Sequence, residues 1–114
     1  MQSVDFDMLP ESIARYLAAH RTHDTTTGLD NFTPDATVTD DGKTYSGIDS
    51  IERWTKRSAT EYTYTIEPIG AHRTGDQDYT VTQRLEGDFP GGVVNLRFRF
   101  ALREGLIERL VIEP

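Results

Sequence analysis

Three side chains could move a proton if they met: Asp40, Tyr16 and His20. Apolar and polar residues alternate through Ala36-Thr37-Val38-Thr39-Asp40, and alternate residues of a strand share a face, so Asp40 points wherever Val38 points. A carboxylate at an apolar wall is stripped of water, which disfavours its charge and suits it to acid/base work. The competing reading is local: Asp40-Asp41-Gly42 is turn chemistry, with both carboxylates in water or on nearby backbone N–H groups. Tyr16 falls on the stripe Ile13, Tyr16, Leu17, His20 at helical spacing. A phenol there is either a pocket donor or a core tyrosine whose hydroxyl reaches a carbonyl or the surface. His20 shares the stripe and is a secondary acid/base candidate. His20 and His23, three apart with Asp24 adjacent, could be two metal ligands, but no further protein ligand lies near in sequence. Cations also suit a helix C-terminus without any metal. We expect no metal and no cofactor.

A pocket for such groups needs apolar walls. Phe32, Val38, Trp54, Tyr62, Tyr64 and Phe98 supply them if the strand holding Tyr62 and Tyr64 turns its even-numbered residues inward. Core packing is the default for aromatic residues at such spacing, and in a protein with an internal pocket the two roles coincide. Gln83 alternates with Val81 and Leu85, so it is a polar group on a dry face. It either orients a ligand or bonds to backbone.

The elements that must position these residues follow from periodicity and punctuation. Pro10 suits a helix start, Glu11 stands in the first turn, and Arg21 with His23 in the last, which predicts a helix over 10–23. Asp24 could cap one short helix before Pro34. Asp41-Gly42 signals a hairpin joining 36–40 to 43–45. Ile48, Ile51 and Trp54 recur three apart, predicting a second long helix over 48–59. Four strands follow, Glu61 to Ala71, Tyr79 to Gly87, Val93 to Arg103 and Leu106 to Glu113, and the short turns between them predict antiparallel pairing. In the third, Val94, Leu96, Phe98, Phe100 and Leu102 share one face, and Asn95, Arg97, Arg99 and Arg103 the other. The order predicts one α+β domain over 1–114, its helices covering the apolar face of a bent sheet.

Composition narrows the function. The 114 residues carry 12 Lys and Arg against 19 Asp and Glu, a formal charge of −7, which argues against gripping nucleic acid or an anionic membrane surface. There is no cysteine, hence no disulfide, thiol nucleophile or thiolate metal site. The opening MQSVDFDMLP has acids where a signal peptide needs bases, and no apolar run approaches a membrane span, so a cytoplasmic protein is expected.

Asn31-Phe-Thr-Pro-Asp-Ala-Thr-Val-Thr-Asp40 and Tyr45-Ser-Gly-Ile-Asp-Ser-Ile51 resemble the opening half of nuclear transport factor two-like domains, and Gly91-Gly-Val-Val-Asn-Leu-Arg-Phe-Arg-Phe100 to Leu110 resembles SnoaL-like members. The resemblance implies a cystatin-like cone: a strongly curved antiparallel sheet wrapped around two to three helices, an apolar pocket at the open end, and a homodimer through the sheet. Members include ketosteroid isomerases, polyketide cyclases, epoxide hydrolases, dehydratases and proteins that catalyse nothing, so fold alone does not choose. Asp-Ala-Thr-Val-Thr-Asp40 is similar to the ketosteroid isomerase stretch ending in the catalytic base. Arg15-Tyr16-Leu17-Ala18-Ala19 is similar to the stretch supplying a tyrosine hydroxyl to the oxyanion. Those isomerases complete the oxyanion hole with a protonated acid on a late strand, yet the dry face of the corresponding strand here carries none. Asn95 could substitute only if a bulge reversed its facing. An epoxide hydrolase's Asp-Arg-Asp relay cannot be assembled either.

The resemblance thus implies a small-molecule pocket protein, with isomerase or cyclase chemistry on an apolar carbonyl compound, Asp40 as base and Tyr16 as oxyanion donor. The alternative is a non-catalytic apolar-ligand carrier or a dimeric accessory protein. Its outer strand face, with Asn95, Arg97 and Arg99 paired to Glu86 and Glu67, is the expected dimer surface.

Overall fold

A computed structural model describes residues 2–22, 24–61 and 63–114. In chain order the elements are β1 (Gln2–Ser3), a single 3-10 turn (Phe6–Met8), α1 (Glu11–Arg21), α2 (Thr25–Leu29), β2 (Phe32–Asp40), β3 (Lys43–Ser46), α3 (Ile48–Glu61), β4 (Tyr64–Arg73), β5 (Asp78–Gly87), β6 (Val93–Arg103) and β7 (Leu106–Glu113). They form one open sheet in the order β1-β4-β5-β6-β7-β2-β3. The fold is the α+β cystatin-like cone, with the helices on the inside of the sheet's curve.

Local chemistry explains most boundaries. The Pro10 carbonyl accepts the first bond of α1 from Ala14 N–H at 3.0 Å, and the helix buries Ser12, Ile13, Tyr16, Leu17 and Ala19 on one side. Asp24 caps α2 by accepting from the Thr27 N–H at 3.1 Å and its hydroxyl at 2.7 Å. Asp41 and Gly42 take φ of 53° and 77°, the two left-handed residues that a tight hairpin matching strand twist requires. Strands β6 and β7 begin and end where alternation placed them, because Glu104-Gly105 with φ of 51° and 82° allows only a sharp reversal.

Two features depart from the expected pattern. The sheet is mixed: β2 lies parallel to β7, with Val38 opposite Leu110 and Asp40 opposite Ile112. Strands so far apart in the chain meet through helix packing, and no turn announces the pairing. Also, α3 continues to Glu61, so β4 starts at Tyr64 instead of Glu61.

Curvature comes from register breaks. A bulge between Pro68 and Gly70 throws Ile69 outward, 48% exposed, and another lies between Ala101 and Leu102. At Gly87 an added Cβ would sit 2.3 Å from the Thr63 carbonyl and 2.6 Å from Tyr64 Cβ, so glycine permits the close approach that starts β4. Phe98, Phe100, Ile107, Leu110, Val38, Ile51 and Ile13 are almost wholly buried between sheet and helices. The opposite face of the sheet is charged: Arg97 and Arg99 both reach Glu113, at 3.2 and 3.3 Å. Glu86 instead pairs with Arg84 on its own strand, because the register sets Arg97 against Glu113. Among the described residues no helix is long and apolar enough to cross a membrane.

Candidate functional site

The helices do not fill the cone completely. A cavity of about 30 Å³ lies between α1, α2, α3 and the sheet, room for one or two water molecules, since one needs roughly 10–15 Å³. Tyr16, Ala19 and His20 of α1, Phe32 of β2, Trp54, Thr55 and Ser58 of α3 and Tyr64 of β4 line it, with Asp24 and Gly28 closing the α2 side.

Tyr16 is the best-anchored wall. Its ring stacks on His20 at 5.7 Å between centroids and meets Phe32 and Phe100 edge-on at 5.6 and 5.7 Å, a geometry that aromatic quadrupoles favour. Burial pushes its phenol well above the ordinary tyrosine range, and the neighbouring Tyr64 and the charge of Asp40 push the same way. Tyr64 is raised for the same two physical reasons, burial first and Asp40 second. Both hydroxyls therefore stay protonated donors. His20 bridges layers: its ring lies 5.5 Å from Phe98 and 6.4 Å from Tyr64.

Asp40 does face inward with Ala36 and Val38, as alternation requires, but as the last residue of β2 it reaches the rim and is only half-buried. The indole Nε1–H of Trp54 donates to its Oδ2 at 3.0 Å. Trp54 is thus a partition. On one side is the largely apolar cavity with Tyr16. On the other a polar cleft is lined by Asp40, Asp41, Lys43, Tyr45, Trp54, Arg57 and Ser58, where the Arg57 guanidinium lies over the Tyr45 ring at 5.5 Å and donates to its hydroxyl. The charge of Asp40 is felt at the Tyr16 phenol, after burial and Tyr64, whereas the cavity lining itself does not include Asp40.

Tyr16, His20, Phe32, Trp54 and Tyr64 meet around the cavity. Val38 and Phe98 belong to the core cluster behind it. Gln83 is fully buried on the inner face of β5, and neither its Oε1 nor its Nε2 finds a partner, so the backbone bond that would make it purely structural is not formed. Tyr62 and His23 lie outside the described residues. Asn95 is exposed opposite Arg84, and no bulge near it turns it inward. Thr55 and Ser58 were legible as the i+4 neighbours of Ile51 and Trp54. Ala19, Asp24 and Gly28 were not, because their place depends on how α2 folds back on α1. Among the described residues no group of three His, Asp or Glu could hold a metal.

No family model matches the chain, and no curated protein matches it in sequence. Solved structures do. A Sinorhizobium meliloti protein assigned as a polyketide cyclase is 31% identical with a TM-score of 0.90, over 96% of this chain and 100% of that one. A Catenulispora acidiphila protein of ketosteroid isomerase-like fold, solved with trimethylamine, is 20% identical with a TM-score of 0.80, over 94% and 87%. The epoxide hydrolase/cyclase-like enzyme of pyran ring formation in the polyether salinomycin is 24% identical with a TM-score of 0.77, over 90% and 87%.

Proposed function

The chain belongs to the nuclear transport factor two-like superfamily, with SnoaL-like and polyketide cyclase-like proteins as its structural relatives, and from that premise we propose that it moves a proton on a small apolar carbonyl compound held in the cone. Asp40 is the base and Tyr16 the donor to the carbonyl oxygen. The observation that carries this reading is the inward Asp40 carboxylate held by the indole N–H of Trp54, the same residue that lines the cavity together with the buried phenol of Tyr16.

The chemistry follows from the placement. Asp40 removes a proton from the carbon next to the carbonyl, and negative charge develops on the oxygen. A Tyr16 hydroxyl kept protonated by burial donates to that oxygen from a fixed position, so little reorganisation is needed as the charge appears. The Trp54 N–H orients the carboxylate and leaves its second oxygen open. Thr55 and Ser58 of α3 form the cavity wall beside Trp54.

The test needs no knowledge of the natural substrate: hydrogen–deuterium exchange next to the carbonyl of 2-tetralone, followed by NMR in deuterated buffer. Asp40→Asn should slow the catalysed exchange by about 10²- to 10⁴-fold, the usual worth of a positioned base. Tyr16→Phe, which keeps the ring packing, should slow it by about 10²-fold or more. Exchange indifferent to both substitutions would remove Asp40 and Tyr16 from the reaction.

A second reading, holding without reacting, is favoured by the wholly apolar inner face of β6, where no acid completes an oxyanion hole. Binding of 2-tetralone with no exchange above background would select it. We further propose that the molecule dimerises through the charged outer face of β5 to β7. Sedimentation as a monomer at micromolar concentration would overturn that.

A further inference from the structure

Gln83 is the one fully buried polar side chain among the described residues, and both ends of its amide are without a hydrogen-bond partner. Leaving a buried donor and acceptor unmade carries their whole desolvation cost, and Val81 and Leu85 on either side show that an apolar residue would suit the strand. Register places Gln83 between Pro68 of β4 and Leu96 of β6, with Phe98 opposite Val81 on the next row. The His20 ring, which lines the cavity, packs on that same Phe98. Gln83 therefore lies two residues along β5 from Val81, the residue opposite that Phe98, behind the cavity wall and outside its lining.

We propose that Gln83 is the deep anchor of the pocket and that it selects ligands bearing an uncharged group with a hydrogen-bond acceptor and a donor side by side, such as a carboxamide, a lactam or an enolised 1,3-diketone. Nε2 donates to the acceptor and Oε1 accepts from the donor, so one ligand group satisfies both orphaned atoms. The group is neutral because the neighbours of Gln83 on the inner sheet face, Val81, Leu85, Leu96, Phe98 and Pro68, are all uncharged, and an isolated ion is excluded from a buried place without a counter-charge. The inference rests on the pocket reading and adds to it the class of compound that fits. It also supplies a polar group one strand away from the position where β6 lacks an acid.

The experiment uses two probes of one shape, 2-naphthamide and 2-isopropenylnaphthalene, titrated calorimetrically into the wild-type protein and Gln83→Met. The wild type should prefer the amide by about tenfold or more, the fold-change expected for a buried hydrogen bond made or lost. Gln83→Met should lose that preference through weaker amide binding while melting no lower than the wild type. The side-chain ¹⁵N–¹H resonances of Gln83 in the wild type should shift with the amide and stay put with the hydrocarbon, a readout that does not depend on the variant folding. A wild type that binds both probes equally overturns the anchor and leaves the pocket standing, as does a Gln83→Met that keeps the preference. A wild type that binds neither overturns the pocket and the anchor together. A Gln83→Met that melts well below the wild type, together with wild-type Gln83 amide resonances unmoved by either probe, shows a structural glutamine on a bound water and overturns the anchor alone.

Discussion

Strand β6 presents two faces built on opposite physics. Inward, Phe98 and Phe100 are almost fully buried and carry the floor under His20 and Tyr16. Outward, Arg97 and Arg99 share the single carboxylate of Glu113, with more than half of each arginine side chain in water. The inner contacts gain from removed apolar surface and close packing, whereas the outer pairs act in a high dielectric and are screened by salt. The same eleven residues therefore hold the molecule together on one side and set its surface charge on the other. The lesson concerns the acids as well. Most of the nineteen lie at helix starts, turns and outer strand positions, and among the described residues only Asp40 combines an inward strand position with a bond to a buried aromatic.

That contrast is sharpest where the inner face is cut. Phe98→Ala should destabilise by about 3–5 kcal/mol, read by denaturant unfolding, because the layer beneath His20 has nothing to collapse into the space. A loss below about 1 kcal/mol would mean that the face is already loosely packed.

A smaller effect, with a definite sign, belongs to alkaline pH. Tyr16 and Tyr64 have raised pKa values in the native state, so the folded protein keeps protons that the unfolded chain releases above about pH 10. Unfolded chains then bind fewer protons than native ones, and stability must fall as pH rises beyond that value toward the native pKa. Tyr16→Phe should flatten this decline in melting temperature between about pH 9.5 and 11. An identical slope in the variant would place the burden on other groups.

The least effect is expected outside. Glu113→Ala should cost only about 0.2–1 kcal/mol and should cost less as salt is added. A loss comparable to that of Phe98→Ala would erase the distinction between the faces.

Acid chemistry at the surface follows the same logic. Hydrogen bonds from Arg103, then Thr33, hold the Asp35 carboxyl below its ordinary range. The stabilisation is present above the usual carboxylate pKa and is lost as pH falls through the lowered one. Asp35 stands in water at the sheet's edge, which marks it as a surface clamp and not a chemical group.

The amino-acid order determined every element whose cause is local. Alternation and turn residues set β6 and β7 to the residue, Asp24 capped its short helix, and the stripe through Ile13, Tyr16 and His20 faced the core. It also carried Asp40 to the inner face, since a period of two admits no other side once Val38 is inside. Tertiary structure alone decided the rest. The parallel pairing of β2 with β7, the indole of Trp54 reaching fourteen residues back to Asp40, and the isolation of the Gln83 amide between two neighbouring strands are properties of distances between elements. Those distances are fixed when helices and sheet close over one core, where burying apolar surface outweighs any local preference.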